Sequence, residues 1–103
     1  PEDALPWQPA RIVDISGGGL RLNQRIDIER NEVVKVKFLV SIVGEILHFN
    51  LFARILSSTP VQGRSDMYEQ RMEFLKITQD ERDKIVRFIF ESERMEIANG
   101  KRA

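Results

Sequence analysis

From residue 33 to residue 57 the chain alternates apolar and polar side chains almost without a break, and this alternation limits its fold more than any other feature. Val34, Val36, Phe38 and Val40 fall on one face and Lys35, Lys37 and Ser41 on the other, the period-two pattern of a half-buried strand. Gly44 interrupts the run. Over 45–57 it resumes, with Leu47, Phe49, Leu51, Ala53 and Ile55 opposite His48, Asn50 and Arg54. Two such runs around a glycine predict a long hairpin. Shorter stretches at 8–14 and 19–24 read as strands on either side of a glycine turn. Ser57, Ser58, Thr59 and Pro60, followed by Gly63, predict a loop by their turn-forming residues. Beyond it Tyr68, Met72 and Phe74 share a face against Glu69, Arg71 and Glu73, which predicts a fifth strand.

At Thr78 the period changes. Thr78 and Glu81 have the spacing of a capping box, with the acids Asp80 to Asp83 in the first turn where the helix dipole favours them. Ile85, Phe88 and Ile89 lie at helical spacing, and Val86 and Phe90 widen the apolar stripe. This predicts a helix over about 78–98, with Gly100 as its stop. Residues 1–103 therefore read as a single domain, an antiparallel all-β unit of five strands followed by one capping α-helix. A small barrel is the usual way for such a sheet to remove exposed edges.

Sixteen Lys plus Arg balance sixteen Asp plus Glu, so no overall field draws the chain to nucleic acid or to anionic lipid, and any anion site must be local. The absence of cysteine excludes disulfides, thiolate nucleophiles and cysteine-based zinc sites, and suits the cytoplasm. No apolar run approaches the roughly 18 residues of a membrane span. The opening Pro1, Glu2 and Asp3 point to a chain cut from something longer.

Asp14, Ile15, Ser16, Gly17, Gly18 and Gly19 join the first two strands. Three consecutive glycines lose more backbone entropy on ordering than a turn requires. A bare backbone can bring N–H groups to an anion, while Ser16 adds a hydroxyl and Asp14 an acceptor for a donor edge such as that of guanine. The same glycines would also serve as a plain turn or bulge, and both readings stand. The segment is not a P-loop, and it is not a dinucleotide fingerprint, because a strand pattern follows it. Arg11, Arg21 and Arg25 surround the turn, and period two favours Arg11 over Arg21 as a contributor of positive charge. Trp7 could stack on a base, although covering the end of the core is its commoner use. His48 has no companion ligands and reads as a surface or half-buried histidine. Ser16 has no base beside it, so neither catalysis, metal nor cofactor is expected.

The run from Ala10 through Asp14, Ser16 and Gly19 to Leu22, the two long strands, Glu73 to Ile77, and the helix from Glu81 to Phe90 together resemble the PilZ domain, with flagellar-brake proteins as the nearest flavour. Asp14, Ser16 and Gly19 match that family's D/N-x-S-x-x-G motif. The resemblance implies a six-stranded antiparallel barrel that binds cyclic di-GMP and performs no chemistry. Asp14 would meet a guanine edge, and Ser16 with Gly17, Gly18 and Gly19 a phosphate or the second base. The family's R-x-x-x-R segment has no match, since no second arginine stands four residues from Arg11, and its first strand has no counterpart before Trp7. These departures imply weak binding or none by this chain, and an open edge that a second copy or a further segment could fill. Arg71 stands where the family often has a small residue, and either crowds the pocket or replaces a missing arginine. The leading expectation is a cytoplasmic receptor coupled to motility, biofilm or envelope control. The rival is a degenerate interaction module that contacts a protein such as a flagellar motor component.

Overall fold

A computed structural model describes residues 7–102, with side chains described through residue 92. Five antiparallel strands and one helix follow in order: β1 (Arg11–Ile15), β2 (Gly19–Gln24), β3 (Val33–Ile42), β4 (Glu45–Val61), β5 (Arg64–Leu75) and α1 (Gln79–Arg102). They form one sheet in the order β1-β2-β5-β4-β3. The sheet curls into a half-barrel: Trp7, just ahead of β1, covers the Lys37 ammonium of β3 at the opposite edge, 4.3 Å from the ring centroid. Among the described residues β1 and β3 do not pair with each other, so the closed six-stranded barrel is replaced by an open five-stranded one.

The hairpin expected at 33–57 is present as an uninterrupted ladder from Val33 opposite Arg54 to Ile42 opposite Glu45. Gly44, at φ 79°, makes its tight return, a backbone region where a side chain is disfavoured. The expected loop at 57–60 is strand instead. β4 continues through Ser58 opposite Gln70 and Pro60 opposite Tyr68, and the chain turns only at Gly63, φ 81°. Proline is tolerated there because the ladder shifts register between Pro60 and Val61, and a bulge leaves a position that need not donate an N–H.

One face of the sheet is the core. Leu20 and Leu22 of β2, Val40 of β3, Phe49, Leu51, Ala53 and Ile55 of β4, and Met72 and Phe74 of β5 pack with Ile85 of α1. Phe38 stacks on Phe49 with centroids 5.1 Å apart. The capping box forms as expected: Glu81 N–H donates to Thr78 Oγ1 at 3.1 Å, and Thr78 N–H donates to Glu81 Oε1 at 3.0 Å. The apolar stripe is narrower than its sequence pattern. Ile85 is fully buried and Phe88 and Ile89 partly so, but Val86 and Phe90 are exposed. The helix also runs past Gly100 to Arg102. Trp7 is exposed rather than closing the core, and its face is used by Lys37.

Gln70 lies on the apolar face of β5 and is fully buried. Its amide nitrogen donates to the Ile26 carbonyl at 2.7 Å and to Ser58 Oγ at 3.0 Å, and its carbonyl oxygen accepts from Gln24 Nε2. Ser58 in turn donates to Asp27 at 2.7 Å. This network ties the 25–32 connection to β4 and β5. Removing a buried hydrogen-bonding partner leaves groups that have lost water and gained nothing. Gln70→Ala is therefore expected to lower unfolding free energy by about 2–3 kcal/mol in urea titrations, and Ser58→Ala by about 1 kcal/mol.

Candidate functional site

The glycine turn is closed by its own hydrogen bonds. Ser16 N–H donates to the Gly19 carbonyl at 2.8 Å, the Ser16 hydroxyl donates to the same carbonyl at 3.3 Å, and Gly18 N–H donates to Ser16 Oγ at 3.2 Å. Phe74 N–H donates to the Gly18 carbonyl at 2.8 Å, which fastens the turn to β5. Ser16 and the Gly18 amide, expected to meet an anion, are thus already paired within the turn.

The three glycines have three different surroundings. A Cβ on Gly19 would lie 2.1 Å from the Met72 carbonyl oxygen, a clash with backbone that cannot relax, so this position admits only glycine. A Cβ on Gly17 would meet Arg82 Cγ at 3.1 Å and Val86 Cγ2 at 3.2 Å. Gly17 backs onto α1, where Arg82 also donates to its carbonyl at 3.2 Å. At Gly18 the same atom would meet nothing within 4 Å. Packing accounts for two of the glycines, and only Gly18 opens freely to solvent.

A concavity of about 440 Å³ lies over this turn, lined among others by Asp14, Ser16, Gly18, Gly19, Arg21, Leu56, Arg71 and Glu73. Its floor is one row of the sheet, Asp14 opposite Arg21, Arg21 opposite Arg71, and Arg71 opposite Ser57. A bulge flanks each end of the row. On β1 the register passes from Ile12 opposite Leu22 to Asp14 opposite Arg21, so Val13 is the extra residue. On β4 it passes from Ile55 opposite Met72 to Ser57 opposite Arg71, so Leu56 is extra. Strict alternation would put Asp14 on the same face as Ile12, towards the core. The bulge turns it instead to the solvent face with Arg21, whose guanidinium lies 3.9 Å from the Asp14 carboxylate. The second bulge leaves Leu56 as an exposed apolar side chain beside Arg71. Bulges recur next to functional sites because they re-aim side chains in this way.

Asp14, Ser16, Gly18 and Gly19 therefore converge on one surface. Gly17 faces the helix. Arg11 pairs with Asn23 at the far end of β1 and does not line the concavity, whereas Arg21 does. Arg25 lies beyond the end of β2 and is not part of it either. Sequence reasoning left Arg71 undecided and did not find Leu56 or Glu73. The alternation of β5 signals the solvent face for Arg71 and Glu73, but the row they join follows from the pairing of β2 with β5. His48 is exposed on β4 opposite Leu39, remote from the turn in the sheet.

The PilZ domain family model matches residues 2–91 of the chain. No curated protein and no solved structure matches it.

The glycine surroundings predict an ordered series. Gly18→Ala should change the unfolding free energy by less than about 0.5 kcal/mol, as for a surface site. Gly17→Ala should cost more, because the Arg82 stem must shift. Gly19→Ala should abolish a cooperative thermal transition. Melting the three variants side by side by circular dichroism checks the order.

Proposed function

The chain belongs to the PilZ domain family, generally a family of cyclic di-GMP binding modules and not of enzymes, and on that premise we propose that it is a cyclic di-GMP receptor whose ligand sits over the β1–β2 turn. The observation that carries this reading is the convergence of the family's motif positions Asp14, Ser16 and Gly19 on an open polar concavity. Asp14 is exposed and aimed outward by the Val13 bulge; its Oδ1 accepts from the Ile15 N–H at 3.0 Å, and its remaining lone pairs are open to a guanine N1–H and amino group. Its only ion pair among the described residues is the 3.9 Å approach of Arg21, a surface contact worth little to the fold. Leu56 offers an apolar surface for the flat side of a base. Ser16 contributes by holding the turn in shape, and Gly18 by leaving room for the ligand to approach.

The same likeness supports an output in motility, biofilm or envelope control, exercised in the cytoplasm. No helix among the described residues is long and apolar enough to cross a membrane. A ligand over the turn would act on α1 through Gly17 and Arg82, which the turn and helix share, and would shift the helix only as far as its affinity differs between the two positions.

Isothermal titration calorimetry with cyclic di-GMP tests the reading, with GMP and cyclic di-AMP as comparison ligands. Saturable binding selective for cyclic di-GMP is expected; equal response to all three ligands, or none, would refute it. Asp14→Ala should weaken Kd by about 10–100-fold, the scale of one lost base-edge contact, and leave the melting midpoint within a degree or two. Ser16→Ala should lower both affinity and stability, because its hydroxyl bonds close the turn.

A further inference from the structure

On the solvent face of β5, three charged residues stand in succession: Glu69, Arg71 and Glu73. Both carboxylates are engaged elsewhere. Glu73 pairs with Arg54 of β4 at 3.1 Å, and Glu69 approaches Arg21 of β2 at 4.0 Å. Arg21 also faces Asp14 at 3.9 Å. Arg71 is left without an ion pair among the described residues, and its cross-strand partner is another arginine, Arg21. Like charges directly opposite each other in a sheet oppose its stability, so folding gives no reason for this pair. Both guanidiniums line the concavity over the glycine turn, between the bulges at Val13 and Leu56.

We propose that Arg71, backed by Arg21, is the cationic half of the ligand site and takes a phosphodiester oxygen pair of the cyclic dinucleotide. This rests on the receptor reading above. The planar guanidinium carries a fork of donors that matches two phosphate oxygens, which a lysine cannot reproduce. Division of labour follows from the row itself: Asp14 at one end accepts from a base, Arg71 further along donates to phosphate, and Arg21 between them balances the carboxylate on one side and adds positive potential on the other. The site then holds its own positive charge within the sheet, and binding does not depend wholly on an arginine pair ahead of β1. The second phosphate of the ligand lies outside this contact.

The test measures cyclic di-GMP affinity by calorimetry for the wild-type chain, Arg71→Gln and Arg71→Lys, with melting midpoints for each. In parallel, inorganic pyrophosphate is titrated against the Gly18 amide and Arg71 side-chain signals by NMR. Arg71→Gln is expected to lose affinity at least 10-fold with an unchanged or raised midpoint, and Arg71→Lys to recover only part of it. Pyrophosphate should shift the Gly18 signal in the wild-type chain and not in Arg71→Gln. If the wild-type chain binds the dinucleotide and Arg71→Gln binds it within about twofold, the role of Arg71 is overturned while the receptor reading stands. If the dinucleotide fails to bind but pyrophosphate gives the expected response, the receptor reading falls and the anion site stands. No response to either ligand removes both, and a midpoint loss of several degrees in both variants would make Arg71 a structural residue and overturn the proposal.

Discussion

The approach of Gly19 to the Met72 carbonyl is the contact on which the rest of the sheet depends. No side chain fits between them, since even a methyl group would stand 2.1 Å from the carbonyl oxygen. The Phe74 amide, bonded to the Gly18 carbonyl at 2.8 Å, holds the next step of the same junction. Together they fix β2 against β5 in a single register, Gly19 opposite Glu73 through Gln24 opposite Tyr68. Because side chains alternate, a slip of one residue would exchange the two faces. With β5 held by β4, a slip of β2 would take Leu20 and Leu22 out of the core and bring Arg21 into it, out of line with Arg71. The core and the charged row are thus two results of one alignment.

The glycine turn sits where three parts of the fold meet. Ser16 closes it from within, Phe74 fastens it to β5, and Arg82 reaches it from α1. The helix is also held to the β3–β4 return, where Arg87 of α1 pairs with Glu45 at 2.7 Å. The helix is therefore clasped between two loops of the sheet, with Ile85 as its buried anchor. Among the side chains described up to Ser92, Asp80, Asp83 and Arg87 face solvent together with the apolar Val86 and Phe90, and Ile85 is fully buried.

How far this was legible in the sequence varies with the physical origin of each feature. The β3–β4 ladder is unbroken across ten paired positions, and on its inner face every second residue is apolar from Val34 to Val40 and from Leu47 to Ala53. Strand and hairpin could therefore be read from residue order, although Val33, Leu39, Ile46 and Phe52 place apolar side chains on the outer face. The capping box was legible because its two partners lie within one turn. Features fixed by distant partners were not. Gln70 has the composition of a surface residue, and its burial is compensated by Gln24, Ile26 and Ser58, which come from other parts of the chain. Ser57 to Pro60 carry turn residues, yet a bulge accommodates them within β4. At the site, the motif positions were visible as a pattern, but the preference for Arg11 over Arg21 assumed strict period two, which Val13 breaks. The face of an arginine depends on the ladder as much as on its number.

The extra residue in β1 also bears on how sequences of this kind should be aligned. Val13 adds a place to the chain without adding a place to the sheet, so linear distance and spatial distance part company there. Spacing counted forward from the acid to Ser16 and Gly19 is untouched by it, whereas spacing counted back towards Arg11 runs one residue longer along the chain than across the ladder.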